Sequence, residues 1–297
     1  MHSAELYALA AAFCWSFGGL LATNPVRALG AIRFNRVRLG MVFILLAFMA
    51  LITGGWWNLP LDCYAVLAAS AIVGIFIGDS CFYETLKRIG PRRAAVLFAT
   101  NAPLTVILGF FLLGESLPAR TAIGCALVTA GVLLAVLHGT ASGQRHSFEQ
   151  VRGRMAMGVA LGLSSAFCQA ISLIIARPVL ASGVDPIAAS ALRVGVATLA
   201  LTATLVFRSP KLHPAAPLTP RLAAQTALSG LVGMALGMTF LLAALAYGPA
   251  GIVSTLAATS PVLVLPVLWI ATKERPAPGA WIGAFLAVAG VGCIFNS

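Results

Sequence analysis

"GIFIGDSCFYETLKRIGP" occupies residues 74–91. It closes a long apolar run, yet it carries Asp79 and Glu84 and ends in Lys87, Arg88 and a Gly-Pro turn. Charges in apolar surroundings are costly to bury. The stretch also has an echo. "GIFIG" (74–78) resembles "GMALG" (233–237), and Gly90-Pro91 matches Gly248-Pro249. Working outward, "AFCWSFGGLLATNPVRALG" (12–30) resembles "AFCQAISLIIARPVLASG" (166–183), with Pro25-Val26 answering Pro178-Val179. Pro103 matches Pro261, Glu115 matches Glu274, and "AIGCALVTAGV" (122–132) resembles "WIGAFLAVAGV" (281–291). Order and spacing are kept along most of each half, so the chain reads as an internal duplication.

The medium follows from composition. The chain has 297 residues, 60% hydrophobic and 9% charged, with mean hydropathy +0.98. Soluble domains carry about 25% charged residues. A chain this apolar uses the bilayer as its solvent. A membrane-crossing helix takes roughly 20 apolar residues. Ten spans are predicted, at 5–23, 31–53, 64–86, 93–113, 120–137, 156–176, 186–207, 223–246, 250–271 and 279–295. The first apolar stretch reads as a span rather than a signal peptide, because no basic segment precedes it. The longest polar stretch, 138–154, reads as a linker between a first five-helix repeat (1–137) and a second (155–297).

Five spans is an odd number, so the second copy enters the membrane from the opposite side. Charge agrees. Arg27, Arg33, Arg36 and Arg38 follow span 1, and Lys87, Arg88, Arg92 and Arg93 follow span 3. Arg145, Arg152 and Arg154 lie in the linker. Arg208, Lys211 and Arg221 follow span 7, and Lys273 and Arg275 follow span 9. These connections share one face of a ten-span chain. The positive-inside rule makes that face cytoplasmic and puts both termini outside, in a plasma (bacterial inner) membrane. The net charge of +11 is thereby accounted for, and no contiguous basic face calls for a nucleic-acid partner. The six cysteines are scattered without a Cys-x-x-Cys pair, and the four histidines lie outside the spans. No metal and no cofactor is expected.

Inverted five-helix repeats are a transporter signature, with the substrate site near the midplane where the repeats meet. The expected fold is an all-α integral membrane protein, two inverted five-helix repeats around a central cavity. The paired Gly-Pro turns, mid-helix prolines, following glutamates and Gly-rich last spans resemble the drug/metabolite transporter superfamily, above all its ten-span EamA branch. "GDSCFYETLKRIGPRRAAVLFATNAPL" (78–104) and "FLLGES" (111–116) carry the resemblance, which extends over nearly the whole chain. It implies a basket of ten helices with a cavity lined by spans 1, 3, 4, 6, 8 and 9. It also implies movement of small metabolites, often amino acids, without ATP. Small four-span relatives couple to protons through a glutamate inside their first span. Here that span has Trp15 at its middle and Glu5 only at its start, so that mechanism does not carry over.

Two readings stand for Asp79. Counted from the span end near Lys87, it lies about 12 Å deep at about 1.5 Å per residue. Arg38 enters from the same face to a similar depth, which makes a structural ion pair. Arg193, its counterpart in the second repeat, enters from the other face and is placed at a different level. Alternatively, Asp79 is a cavity residue for a substrate amine or a proton, the default reading of an intramembrane carboxylate. In the second repeat its position is held by Gly237 or Met238. Glu84 is read as a salt bridge to Lys87 and Arg88 at helical spacing. Glu115 and Glu274 precede helices with early prolines and are read as carboxylates near helix N-termini.

Trp15 and Gln169 hold matching positions and are expected to line the cavity, together with Tyr83, Asn101 and Thr259; an aromatic wall with a few polar groups suits a pocket. Pro103 and Pro261 are expected to kink spans 4 and 9 and free carbonyls beside Asn101, Thr259 and Ser260. Gly74/Gly78 and Gly233/Gly237 fit Gly-x-x-x-Gly and are expected to pack spans 3 and 8 together. The serines of 162–166 are read as packing or backbone-bonding residues. The function expected is secondary transport, with export of a small metabolite such as an amino acid. Its partners are the bilayer, the substrate and a candidate coupling proton, and the chain acts as a monomer or weak homodimer. The rival readings are a flippase for a lipid-linked or polyprenyl-phosphate head group, and an integral membrane enzyme. No nucleotide-binding loop and no intramembrane histidine is present to support ATP use or nucleophilic catalysis.

Overall fold

The computed structural model describes residues 3–115, 117–137, 154–207, 217–263 and 277–295. Arg208, Lys211, Lys273, Glu274, Arg275, all of the predicted linker except Arg154, and positions 264–271 of the predicted ninth span lie outside the described residues. Among the described residues, every regular element is helical. Nine helices among the described residues are long and apolar enough to cross a membrane: Ser3–Ala22, Ala31–Ile52, Leu61–Ile89, Arg93–Leu113, Ala119–Leu137, Met155–Ala181, Pro186–Val206, Pro220–Tyr247 and Pro278–Phe295. A further apolar helix, Ala250–Leu263, falls between the last two and is span 9. Large apolar side chains such as Ile44, Phe111, Phe285 and Val288 point outward, as suits a surface solvated by lipid.

The first helix of each repeat runs further than predicted. Span 1 is helical over Ser3–Leu29 with Pro25 inside it, and span 6 over Met155–Ala181 with Pro178 inside it. Proline removes one backbone bond, which membrane helices tolerate when their neighbours compensate. The turn comes instead at Gly30, where φ is +77°; Gly90 turns spans 3 and 4 with φ +86°. A side chain at either glycine would be strained.

Spans 3 and 8 each contain a widened π-helical stretch, Ile72–Asp79 and Gly230–Leu236, between two α-helical segments. The glycine pairs sit at these stretches, but they do not hold the two spans to each other. Gly74 and Gly78 meet Ser172, Gln169 and Cys168 of span 6, whereas Gly233 and Gly237 meet Gly18, Cys14 and Trp15 of span 1. The expected packing of spans 3 and 8 is therefore corrected: each crosses the first helix of the other repeat. Close backbone approach needs glycine on one side and small residues on the other, and spans 6 and 1 supply them as Ser172 and Gly18.

Span 4 is broken at Thr100 into Pro91–Ala99 and Asn101–Leu113, and span 9 at 258–259 after Ala250–Ala257. Pro103 and Pro261 lie just past these breaks, in a first turn where their missing N–H costs little. Spans 5 and 10 form the tightest pair. A Cβ on Gly131 would stand 2.5 Å from the Ala287 nitrogen and 2.6 Å from the Gly283 carbonyl.

Glu115 departs from its expected role. It does not serve the helix that follows it. Its carboxylate accepts from the Ala250 amide at 2.9 Å and the Gly251 amide at 3.4 Å, and lies 3.7 Å from Arg177. It therefore caps span 9 of the other repeat, where the helix dipole favours an anion. Glu115→Gln keeps the shape but loses the charge. It is expected to lower stability by about 1 kcal/mol in thermal unfolding of the purified protein. An unchanged melting temperature would show that the cap carries no weight.

Candidate functional site

Arg38 projects from span 2 toward the end of the π-helical stretch in span 3. Its Nη2 donates to Asp79 Oδ2 at 2.8 Å and to Asn35 Oδ1 at 2.8 Å, and its Nη1 donates to the Tyr83 hydroxyl. The guanidinium carbon lies 4.9 Å from the Tyr83 ring centre and 5.6 Å from that of Phe34. These two rings meet edge to face at 5.2 Å. A buried ion pair gains from further hydrogen bonds to its remaining groups; here Asn35 and Tyr83 accept from the two terminal nitrogens of Arg38, while its Nε has no partner. The pair is asymmetric: the Arg38 side chain is 6% exposed and that of Asp79 22%. The carboxylate keeps an open edge; the arginine is enclosed.

A second arginine lies close by. Arg193 of span 7 has no exposed surface. Its Nη2 donates to Ser172 Oγ at 2.8 Å, and its Nη1 reaches the Met238 sulfur at 3.4 Å. Ser172 in turn donates to the Ser70 carbonyl at 2.9 Å, and Ser70 to the Ser172 carbonyl at 2.8 Å, stitching spans 3 and 6 together. Arg193 also lies within electrostatic reach of Asp79.

The other predicted residues are distributed as follows. Tyr83 is buried in the ion-pair network rather than lining an open space. Gln169 is buried beside Gly74, and Trp15 is half-buried against Gly237. Among the described residues, spans 1 and 6 share no extensive contact, so Trp15 and Gln169 each face a span of the other repeat. Asn101 Nδ2 donates to the Phe98 carbonyl at 2.6 Å and Thr259 Oγ1 to the Leu256 carbonyl at 2.7 Å. Both polar groups thus satisfy their own helix breaks. The Ser260 carbonyl accepts from Ser16 of span 1 at 2.7 Å. Ser165 donates to the Gly78 carbonyl at 2.8 Å. Glu84 pairs with Arg88 at 2.8 Å and Lys87 at 3.7 Å. A concavity of about 380 Å³ opens between spans 2 and 8 against Met41, Val42, Leu45 and Leu231. It is apolar and holds none of the predicted site residues. No group of three or more His, Cys, Asp or Glu among the described residues could hold a metal.

Asn35, Ser70, Ser172 and Arg193 were absent from the predicted site. Asn35 stands three residues before Arg38, on the same helix face, and could have been read from that spacing. Arg193 had a signal too, since it is the repeat counterpart of Arg38 in an apolar run.

The EamA-like transporter family matches the chain twice, over residues 2–137 and 156–296. An uncharacterized transporter of Clostridium kluyveri is 24% identical over 130 residues, 43% of this chain and 42% of that protein. One of Archaeoglobus fulgidus is 28% identical over 131 residues, 43% of this chain and 46% of that protein. The uncharacterized transporter YcbK of Bacillus subtilis is 38% identical over 66 residues, 22% of this chain and 21% of that protein. The chain thus spans less than half the length of these curated relatives. A crystal structure is similar with a TM-score of 0.79 at 18% identity, covering 99% of this chain and 96% of the other. At that identity the likeness is one of fold.

Proposed function

Because the chain belongs to the EamA-like transporter family, we propose that it is a secondary transporter that exports a small zwitterionic metabolite, an amino acid or a near relative. It works by alternating access and without ATP, in a plasma membrane, with both termini outside, as a monomer or weak homodimer. The observation that carries this reading is Asp79. It is the carboxylate deep in span 3, placed where that span crosses the first helix of the other repeat, and it keeps an open edge while its arginine is enclosed. That edge suits a substrate ammonium, and it is where a coupling proton would sit. Trp15 and Gln169 come from the two helices that cross spans 8 and 3, so rocking of the repeats would bring them to the substrate.

Arg38 bears on the flippase reading. A lipid-linked phosphate would need that guanidinium free, and it is engaged by Asp79, Asn35 and Tyr83. The engagement argues against that reading.

Direction can be tested in cells preloaded with labelled amino acids. Cells making the protein are expected to release label faster than cells making Asp79→Asn at equal abundance. Equal release from both would remove Asp79 from the mechanism.

A further inference from the structure

Arg38 and Arg193 occupy matching places in the two repeats, yet their surroundings differ. Arg38 has Asn35 a turn before it, and Asp79 and Tyr83 across from it on span 3. With the repeats aligned on their glycine pairs, the matching positions around Arg193 are Ser190, Met238 and Leu242. The correspondence is physical, because Arg193 Nη1 reaches the Met238 sulfur as Arg38 Nη2 reaches Asp79. The second repeat has the arginine without the anion. Among the described residues, the remaining polar contact of Arg193 is the Ser172 hydroxyl at 2.8 Å; its Nε, like that of Arg38, has no partner. A fully buried guanidinium without a counter-ion is costly. Asp79 acts on it only from a distance and is itself bound to Arg38.

We propose that Arg193 anchors the carboxylate of the transported molecule, with the Ser172 hydroxyl beside it. The proposal rests on the transporter reading for its occupant and narrows the substrate to small carboxylates, zwitterions included. Guanidinium suits the group because its planar donors match a carboxylate in pairs. The open edge of Asp79, which acts on Arg193 electrostatically, would then take the ammonium. An α-amino acid carries both groups on one carbon, which suits a cation and an anion within electrostatic reach of each other. In the present conformation the anchor is closed. Ser172 fills the space over Gly74 where spans 3 and 6 cross, so a carboxylate enters only when that crossing opens.

The test is thermal unfolding of the purified full chain with glycine, acetate or ethylamine, together with transport of labelled glycine and ethylamine in proteoliposomes. Glycine and acetate should raise the wild-type melting temperature saturably. Arg193→Met should melt higher than wild type without additive, because a buried charge is gone. It should lose the response to acetate and carry glycine at least tenfold more slowly, with ethylamine less affected. Met238→Asp restores the missing anion within the protein and should likewise abolish the acetate response while raising the melting temperature. An Arg193→Met or Met238→Asp protein with a wild-type acetate response would overturn the anchor. So would a wild type that carries ethylamine but neither carries nor responds to carboxylates, and the transporter reading would then survive. A wild type stabilised by carboxylates through Arg193 that moves no solute would keep the anchor and remove the transporter reading.

Discussion

Asp79→Ala is expected to cost about 3–5 kcal/mol of stability, more than any other single change at the site. The carboxylate is bonded to Arg38 and lies within reach of Arg193. Its loss leaves the buried Arg38 guanidinium with no anion and removes the one carboxylate that acts on Arg193 from a distance. Arg38→Met should cost less, because the Asp79 that remains is the more exposed partner of the pair. The double variant Arg38→Met/Asp79→Leu removes both charges and should lie closer to wild type than Asp79→Ala does. Unfolding of the three proteins in one detergent gives the order directly. Asp79→Ala as stable as the wild type would mean that the pair is not buried as described.

The second large effect is expected at the seam of spans 5 and 10. Gly131 and Gly283 each face the backbone of the opposite helix, which cannot move aside as a side chain can. Gly131→Ala or Gly283→Ala should destabilise by about 1–3 kcal/mol, and leucine at either position by more. Gly292 lies on the same helix as Gly283, but a Cβ there meets nothing within 4 Å. Gly292→Ala should therefore be close to neutral. Equal melting temperatures for Gly283→Ala and Gly292→Ala would refute the close approach.

The repeats were legible in the sequence because they are written in residues with few substitutes. Gly90-Pro91 and Gly248-Pro249, Pro103 and Pro261, and the glycines of spans 5 and 10 serve turns, breaks and close contacts. The Arg38–Asp79 pair could be reached by counting helical rise from a basic span end. What the glycine pairs touch could not be read, because a Gly-x-x-x-Gly pattern marks a close surface without naming its partner. The π-helical stretches leave no mark in hydropathy, since widening one turn changes bonding and not composition. Pro25 and Pro178 misled for a physical reason. In a soluble helix such a proline is a strong stop, whereas here both helices run on to the turn. Glu115 reached across to the other repeat, a contact that local spacing does not reveal.

The central claim is that the two repeats form a carrier for a small zwitterion. Counterflow in proteoliposomes tests it most directly. Purified protein is reconstituted without ATP, with a high internal concentration of one unlabelled amino acid, and entry of the same labelled compound is followed. Transient accumulation above the external concentration is predicted for wild type and not for Asp79→Asn of equal folded content. No accumulation of any amino acid, alongside protein-dependent movement of a polyprenyl-phosphate head group across the same bilayer, would contradict the account.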